Sequence, residues 1–139
     1  MDEGLPHKRH WSRRFALQSL YQWQLAGHSA DDLIAQYADD ENWHKVDQPY
    51  FEEIVRESIK LSDQLNEIIT PCVDGSMARI GPVEKAILLY ATYEMQYKRE
   101  IPKDVIISEA IILCKKFGAS GGYKLINGVL DKVSEKLLD

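Results

Sequence analysis

The chain has 139 residues with 17 Lys and Arg against 22 Asp and Glu, a formal net charge of −5, and it is 45% apolar and 28% charged. Those proportions describe one globular domain able to bury a core without disulfide or metal staples. No apolar run approaches the ~18 residues of a membrane span, and the start, Met1 to Arg14, is acidic then basic rather than leader-like.

Helical signals run along the whole chain. Trp11 to Ala26 carries Phe15, Leu17, Leu20, Tyr21 and Leu25 near helical spacing, with Gly27 as the stop. Residues 1–7 are expected to be flexible. Ser29 caps a second helix with Asp31 and Asp32 in its first turn, the charge sign a helix N-terminus favours. Asp47 caps a third, with Pro49 tolerated in the first turn. Its stripe of Phe51, Ile54, Val55, Leu61, Leu65, Ile68 and Ile69 continues unbroken to Pro71. Cys72 to Ile80 is poorly periodic, with room for one short helix. Gly81-Pro82 opens the next helix, with Val83, Ile87, Leu88, Ala91 and Met95 facing inward.

The following helix, opened by Pro102, is apolar at nine positions from Val105 to Phe117, so it is expected to be buried on most sides. A glycine-containing loop leads to the last helix, with Leu125, Ile126, Val129, Leu130, Val133 and Leu137 at helical spacing. Asn127-Gly128 inside it opposes helix propensity. Close packing of a neighbouring helix on Gly128 would account for it. Sustained strand alternation and hairpin signals are missing. The expected fold is all-α, one domain over residues 1–139 with six or seven helices.

Charge is unevenly distributed. Residues 27–74 hold twelve acidic and three basic side chains, whereas residues 1–26 hold four basic and two acidic, and residues 75–139 ten basic and eight acidic. The ends can therefore attract a polyanion despite the acidic total.

Two segments carry candidate chemistry. His7-Lys8-Arg9-His10-Trp11-Ser12-Arg13-Arg14 offers guanidinium forks for phosphate and Trp11 or His10 to stack on a base. The corner from Phe117 to Lys124 offers backbone amides at a helix start, with Lys124 beside them. Weighed alone, the first also reads as a solvated terminus and the second as a plain αα turn. No GxSxG, P-loop, HExxH or dinucleotide fingerprint is present, and no enzyme is expected. Cys72 and Cys114 read as reduced thiols, and His7, His10, His28 and His44 do not pair with them at metal-ligand spacing. Neither metal nor cofactor is expected.

Several segments together resemble the NusB transcription antitermination factor family. They are Ala16-Leu17-Gln18-Ser19-Leu20-Tyr21, Trp23-Gln24-Leu25, Tyr50-Phe51, Pro82 to Leu88, Tyr93-Glu94, Ile101-Pro102, Ser108-Glu109-Ala110, Lys116-Phe117-Gly118 and Asn127 to Lys132. The resemblance covers about residues 8 to 135. It implies a cytoplasmic, all-helical protein of two small helical subdomains. It also implies binding of boxA RNA jointly with the small-subunit ribosomal protein that serves as NusE, acting on RNA polymerase so that ribosomal RNA transcription resists termination.

The implied RNA surface falls on Arg9, His10, Arg13, Gln18, Phe117, Ser120, Tyr123 and Lys124. The implied protein-partner surface falls on Tyr21 and Glu84. The chain departs from the family pattern at His10-Trp11, Leu89, Lys103-Asp104, Ser108 and Gly121-Gly122. Two other readings are a helical protein-interaction scaffold and a relative of the N-terminal domain of RNA cytosine methyltransferases, whose catalytic half has no counterpart here.

Overall fold

The computed structural model describes residues 4–138. Seven α-helices and three short 3-10 turns make it up, with no strand among the described residues. The helices are α1 (Gly4–Ala26), α2 (Ala30–Ala35), α3 (Gln48–Lys60), α4 (Ser62–Ile69), α5 (Pro82–Tyr97), α6 (Lys103–Phe117) and α7 (Gly122–Lys136). None is long and apolar enough to cross a membrane.

Helix α1 begins seven residues before the expected start at Trp11, so the basic segment lies along its first three turns. Of the residues expected to be flexible, 4–7 are helical and 1–3 lie outside the described residues. Gly27 ends α1 at φ +70°, a conformation glycine adopts without cost, and its N–H bonds Trp23 O at 2.9 Å. The expected caps form: Ser29 Oγ accepts from Asp32 N at 3.1 Å, and Asp47 Oδ1 from Tyr50 N at 3.3 Å.

The long third helix is instead two. Leu61, at φ −99° and ψ 14°, separates α3 from α4. The break lets α3 pack on α1 while α4 turns toward α5 and α7. Cys72 to Ile80, where one short helix was expected, holds one 3-10 turn at Met77–Arg79, and a second turn at Thr70–Cys72 leads into it from α4.

The helix buried on all sides is α5. From Ala86 to Met95 every residue is at most 6% exposed. It packs against α1 and α3 on one side and α4, α6 and α7 on the other, joining two sub-bundles. Helix α6, expected to be enclosed, packs mainly against α5 and α7, with α1 reaching it through the side chains of His10 and Arg13. It buries Ile106, Ile107, Ala110, Leu113 and Cys114 and leaves Val105 and Ile112 44% and 49% exposed. The α1–α3 core is aromatic: Phe15 stacks on Tyr37 at 4.7 Å between centroids, and Phe15, Tyr37 and Trp43 each meet Phe51 edge-on.

Gly128 is exposed, and nothing lies within 4 Å of where its Cβ would be. The close helix packing expected there does not exist.

Candidate nucleic-acid interface

The expected RNA residues divide by what their side chains already do. Arg13 is inside the protein at 3% exposure. Its Nε and Nη2 donate to the Glu94 carboxylate at 3.0 and 2.8 Å, and its Nη1 donates to Glu109 Oε1 at 3.2 Å. Tyr50 Oη donates a hydrogen bond to the same Glu94 carboxylate. Burial opposes the guanidinium charge, but the adjoining Glu94 outweighs it and holds the pKa above the ordinary arginine value. Arg13 is thus a tie between α1, α5 and α6 and has no free face for phosphate, contrary to the expectation from sequence.

His10 and Arg9 are partly engaged. His10 Nδ1 lies 3.2 Å from Glu109. Burial raises the Glu109 pKa, yet the hydrogen bond and charge of His10, with Arg13 beside it, hold that carboxyl below the usual range. Arg9 lies 3.8 Å from Asp47 and 4.3 Å over the Tyr50 ring. Arg14 differs: its guanidinium is 4.7 Å over Trp11 and 5.1 Å over Phe117, and it makes no ion pair among the described residues. It joins the N-terminal basic segment to the corner.

At that corner Ser120 and Lys124 are exposed, and Tyr123 lies under Lys115 Nζ at 4.6 Å. Gly121 starts α7 at φ +80°, the left-handed region. The loop is built around Glu84, which is only 5% exposed. Glu84 Oε2 accepts from Ala119 N at 2.8 Å and sits 3.8 Å from Cys114 Sγ. A Cβ added at Gly81 would come within 2.7 Å of Glu84 Oε1, and one at Gly122 within 2.8 Å of its Oε2. The glycines are there because the carboxylate occupies the space. Burial, then Glu84, pushes the Cys114 thiol up to about 11. Glu84, expected on the partner surface, is therefore an internal clamp between α5 and the corner.

Tyr21 does reach solvent, at 36% exposure. It shares a groove of about 430 Å³ with Leu17, Gln18, Val83 and Phe117. One concavity thus brings together Gln18 and Phe117, expected to face RNA, and Tyr21, expected to face protein. The roles of Glu94, Glu109 and Tyr50 were missed from sequence because each is defined by a partner tens of positions away. Nearby elements Pro82 and α1 are tied by Gln24 Nε2, which donates to Pro82 O at 2.9 Å.

An all-helical protein with a buried carboxylate-arginine tie, a glycine corner and an open basic-aromatic face belongs to the class of helical binding proteins. The chain matches the NusB family over residues 10–135 and belongs to that family. It is 39% identical to a transcription antitermination protein NusB of Shewanella loihica over 131 residues, covering 94% of this chain and 98% of that one. It is 42% identical to the protein of the same description from Nitrosomonas europaea, covering 97% and 81% respectively. Among solved structures, T. maritima NusB superposes with a TM-score of 0.83 at 22% identity, over 94% of this chain and 93% of that one. NusB in a crystal structure of the antitermination factors NusB and NusE in complex with dsRNA gives 0.82 at 22% identity, over 93% and 97%. These two likenesses establish the fold.

Proposed function

We propose that this chain is a transcription antitermination factor that binds boxA-type RNA jointly with the small-subunit ribosomal protein serving as NusE, and so promotes ribosomal RNA transcription through RNA polymerase. One observation carries the RNA half of this reading. Arg14 on α1 reaches Phe117 at the corner, making one open face of two basic segments about a hundred residues apart. Family membership and the named relatives support the rest.

The RNA surface in this reading comprises Arg9, His10, Gln18, Phe117, Ser120, Tyr123 and Lys124, with Arg14 added and Arg13 acting from inside as a positioning residue. The protein surface is the groove at Tyr21, and Glu84 shapes it from beneath by fixing Val83 and the corner. The groove shared by Gln18, Tyr21 and Phe117 supports joint binding, because RNA and protein would meet along it. A basic ribosomal protein docked there would also offset the acidity of residues 27–74.

The test is a titration of boxA RNA into the full chain with and without saturating ribosomal protein. Affinity rises with the partner, and linkage requires RNA to strengthen partner binding by the same factor, about 5–150-fold. Equal RNA affinities in both titrations would reject joint binding and leave a helical scaffold.

A further inference from the structure

We infer that the RNA track extends beyond the junction of α1 and the corner onto the 3-10 turn Trp43–Lys45, so that Lys45, Arg14 and Lys116 form one line of phosphate contacts ordered by Trp11 and Phe117. This rests on the RNA-binding reading and goes beyond it by adding a third element from the acidic middle of the chain.

Lys45 Nζ lies 4.7 Å from the Trp11 ring centroid, and the Arg14 guanidinium carbon lies 4.7 Å from the same ring. Arg14 is also 5.1 Å from Phe117, whose ring has Lys116 Nζ at 5.9 Å. Cations and aromatic rings therefore alternate across three elements: the 3-10 turn, α1 and the end of α6. The charges remain available. Among the described residues Lys45, Arg14 and Lys116 pair with no carboxylate, whereas Arg9, Arg13, Arg56, Lys98 and Lys132 all do.

Asp47, the acid nearest Lys45 in sequence, is taken by Arg9. An aromatic ring orders a cation without neutralising it, which a carboxylate does not do. The arrangement suits a polyanion that must find charges fixed in place but unquenched. It also changes the part given to Trp11. With two cations over its ring, Trp11 serves as a positioning residue for them rather than as a stacking platform for a base.

The experiment measures binding of a boxA-type RNA oligonucleotide to the full chain by fluorescence anisotropy across a salt series. Each lost phosphate contact lowers the slope of log K against log salt by about 0.7–0.9. Lys45→Gln and Lys116→Gln each flatten the slope by about that amount and weaken unrelated RNA sequences equally, while Lys132→Gln, paired with Asp74, leaves it unchanged. Trp11→Phe keeps most of the slope, and Trp11→Ala loses as much as the Lys45→Gln, Arg14→Gln double variant. A wild-type slope in Lys45→Gln, with a flattened one in Arg14→Gln, would overturn the extension while leaving the RNA-binding reading intact. Absence of RNA binding by the unaltered chain, alone and with the ribosomal protein, would overturn both.

Discussion

Arg13 on α1 and Glu94 on α5 form an ion pair in which both side chains are at most 3% exposed, closed by hydrogen bonds of 2.8 and 3.0 Å. Breaking such a pair leaves a charge in the core without compensation, at a cost of about 3–5 kcal/mol. Arg13→Ala therefore lowers the denaturant midpoint sharply, and Arg13→Lys recovers little because an ammonium cannot reproduce the fork. A midpoint like that of the unaltered chain would mean that Arg13 is not the tie described above.

Glu84 and the corner give a second prediction. Gly118→Ala forces a Cβ to within 2.9 Å of Cys114 Sγ and into the Glu84 carboxylate, an overpacking that costs about 1–3 kcal/mol. Glu84→Ala removes the acceptor of the Ala119 amide, and Glu84→Gln keeps an oxygen for it. Hydrogen exchange at Ala119 thus quickens markedly in the alanine variant and mildly in the glutamine one. Slow exchange in Glu84→Ala would show that the loop holds itself.

Gly128 leads to a prediction of opposite sign. It is an exposed glycine inside α7 with open space around it, and a helix-interior glycine costs about 0.5–1 kcal/mol relative to alanine. Gly128→Ala raises the melting temperature. A lower one would reveal a packing constraint on α7.

Glu109 sets a pH dependence. Its pKa in the folded protein lies below the ordinary value, where burial is outweighed by His10 and Arg13. Its contribution to stability is therefore present above the unfolded value of about 4.3 and is lost as pH falls through that value to the lower folded one. Stability measured from pH 6 to pH 3 falls in the unaltered chain, and Glu109→Gln flattens part of that fall. Identical pH profiles would remove Glu109 from the network.

Much of the fold follows from local signals. Ser29, Asp47, Gly27 and Gly81-Pro82 mark their helix ends because caps and stops act on the backbone within a few residues. The enclosed helix was harder to find. In α5 the apolar pattern is interrupted by Tyr90, Thr92 and Glu94, all fully buried, and Glu94 is tolerated because Arg13 arrives from α1 and Tyr50 from α3. In α6 the longer apolar run includes Val105 and Ile112, which face solvent. The break at Leu61 leaves no Gly or Pro signature, since tertiary packing of α4 decides it. At the candidate site, the two basic segments were legible as compositions. Which cations stay free was not, because pairing of Arg9, Arg13 and His10 depends on Asp47, Glu94 and Glu109, far along the chain.

The central claim, that RNA lies along the face where α1 meets the corner, is tested most directly by ultraviolet cross-linking of boxA RNA to the chain with the ribosomal protein bound, followed by mapping of the modified peptides. The account predicts adducts at Phe117 and Tyr123 and in the peptide containing Trp11. Adducts confined to α3 and α4, the acidic side, would contradict it.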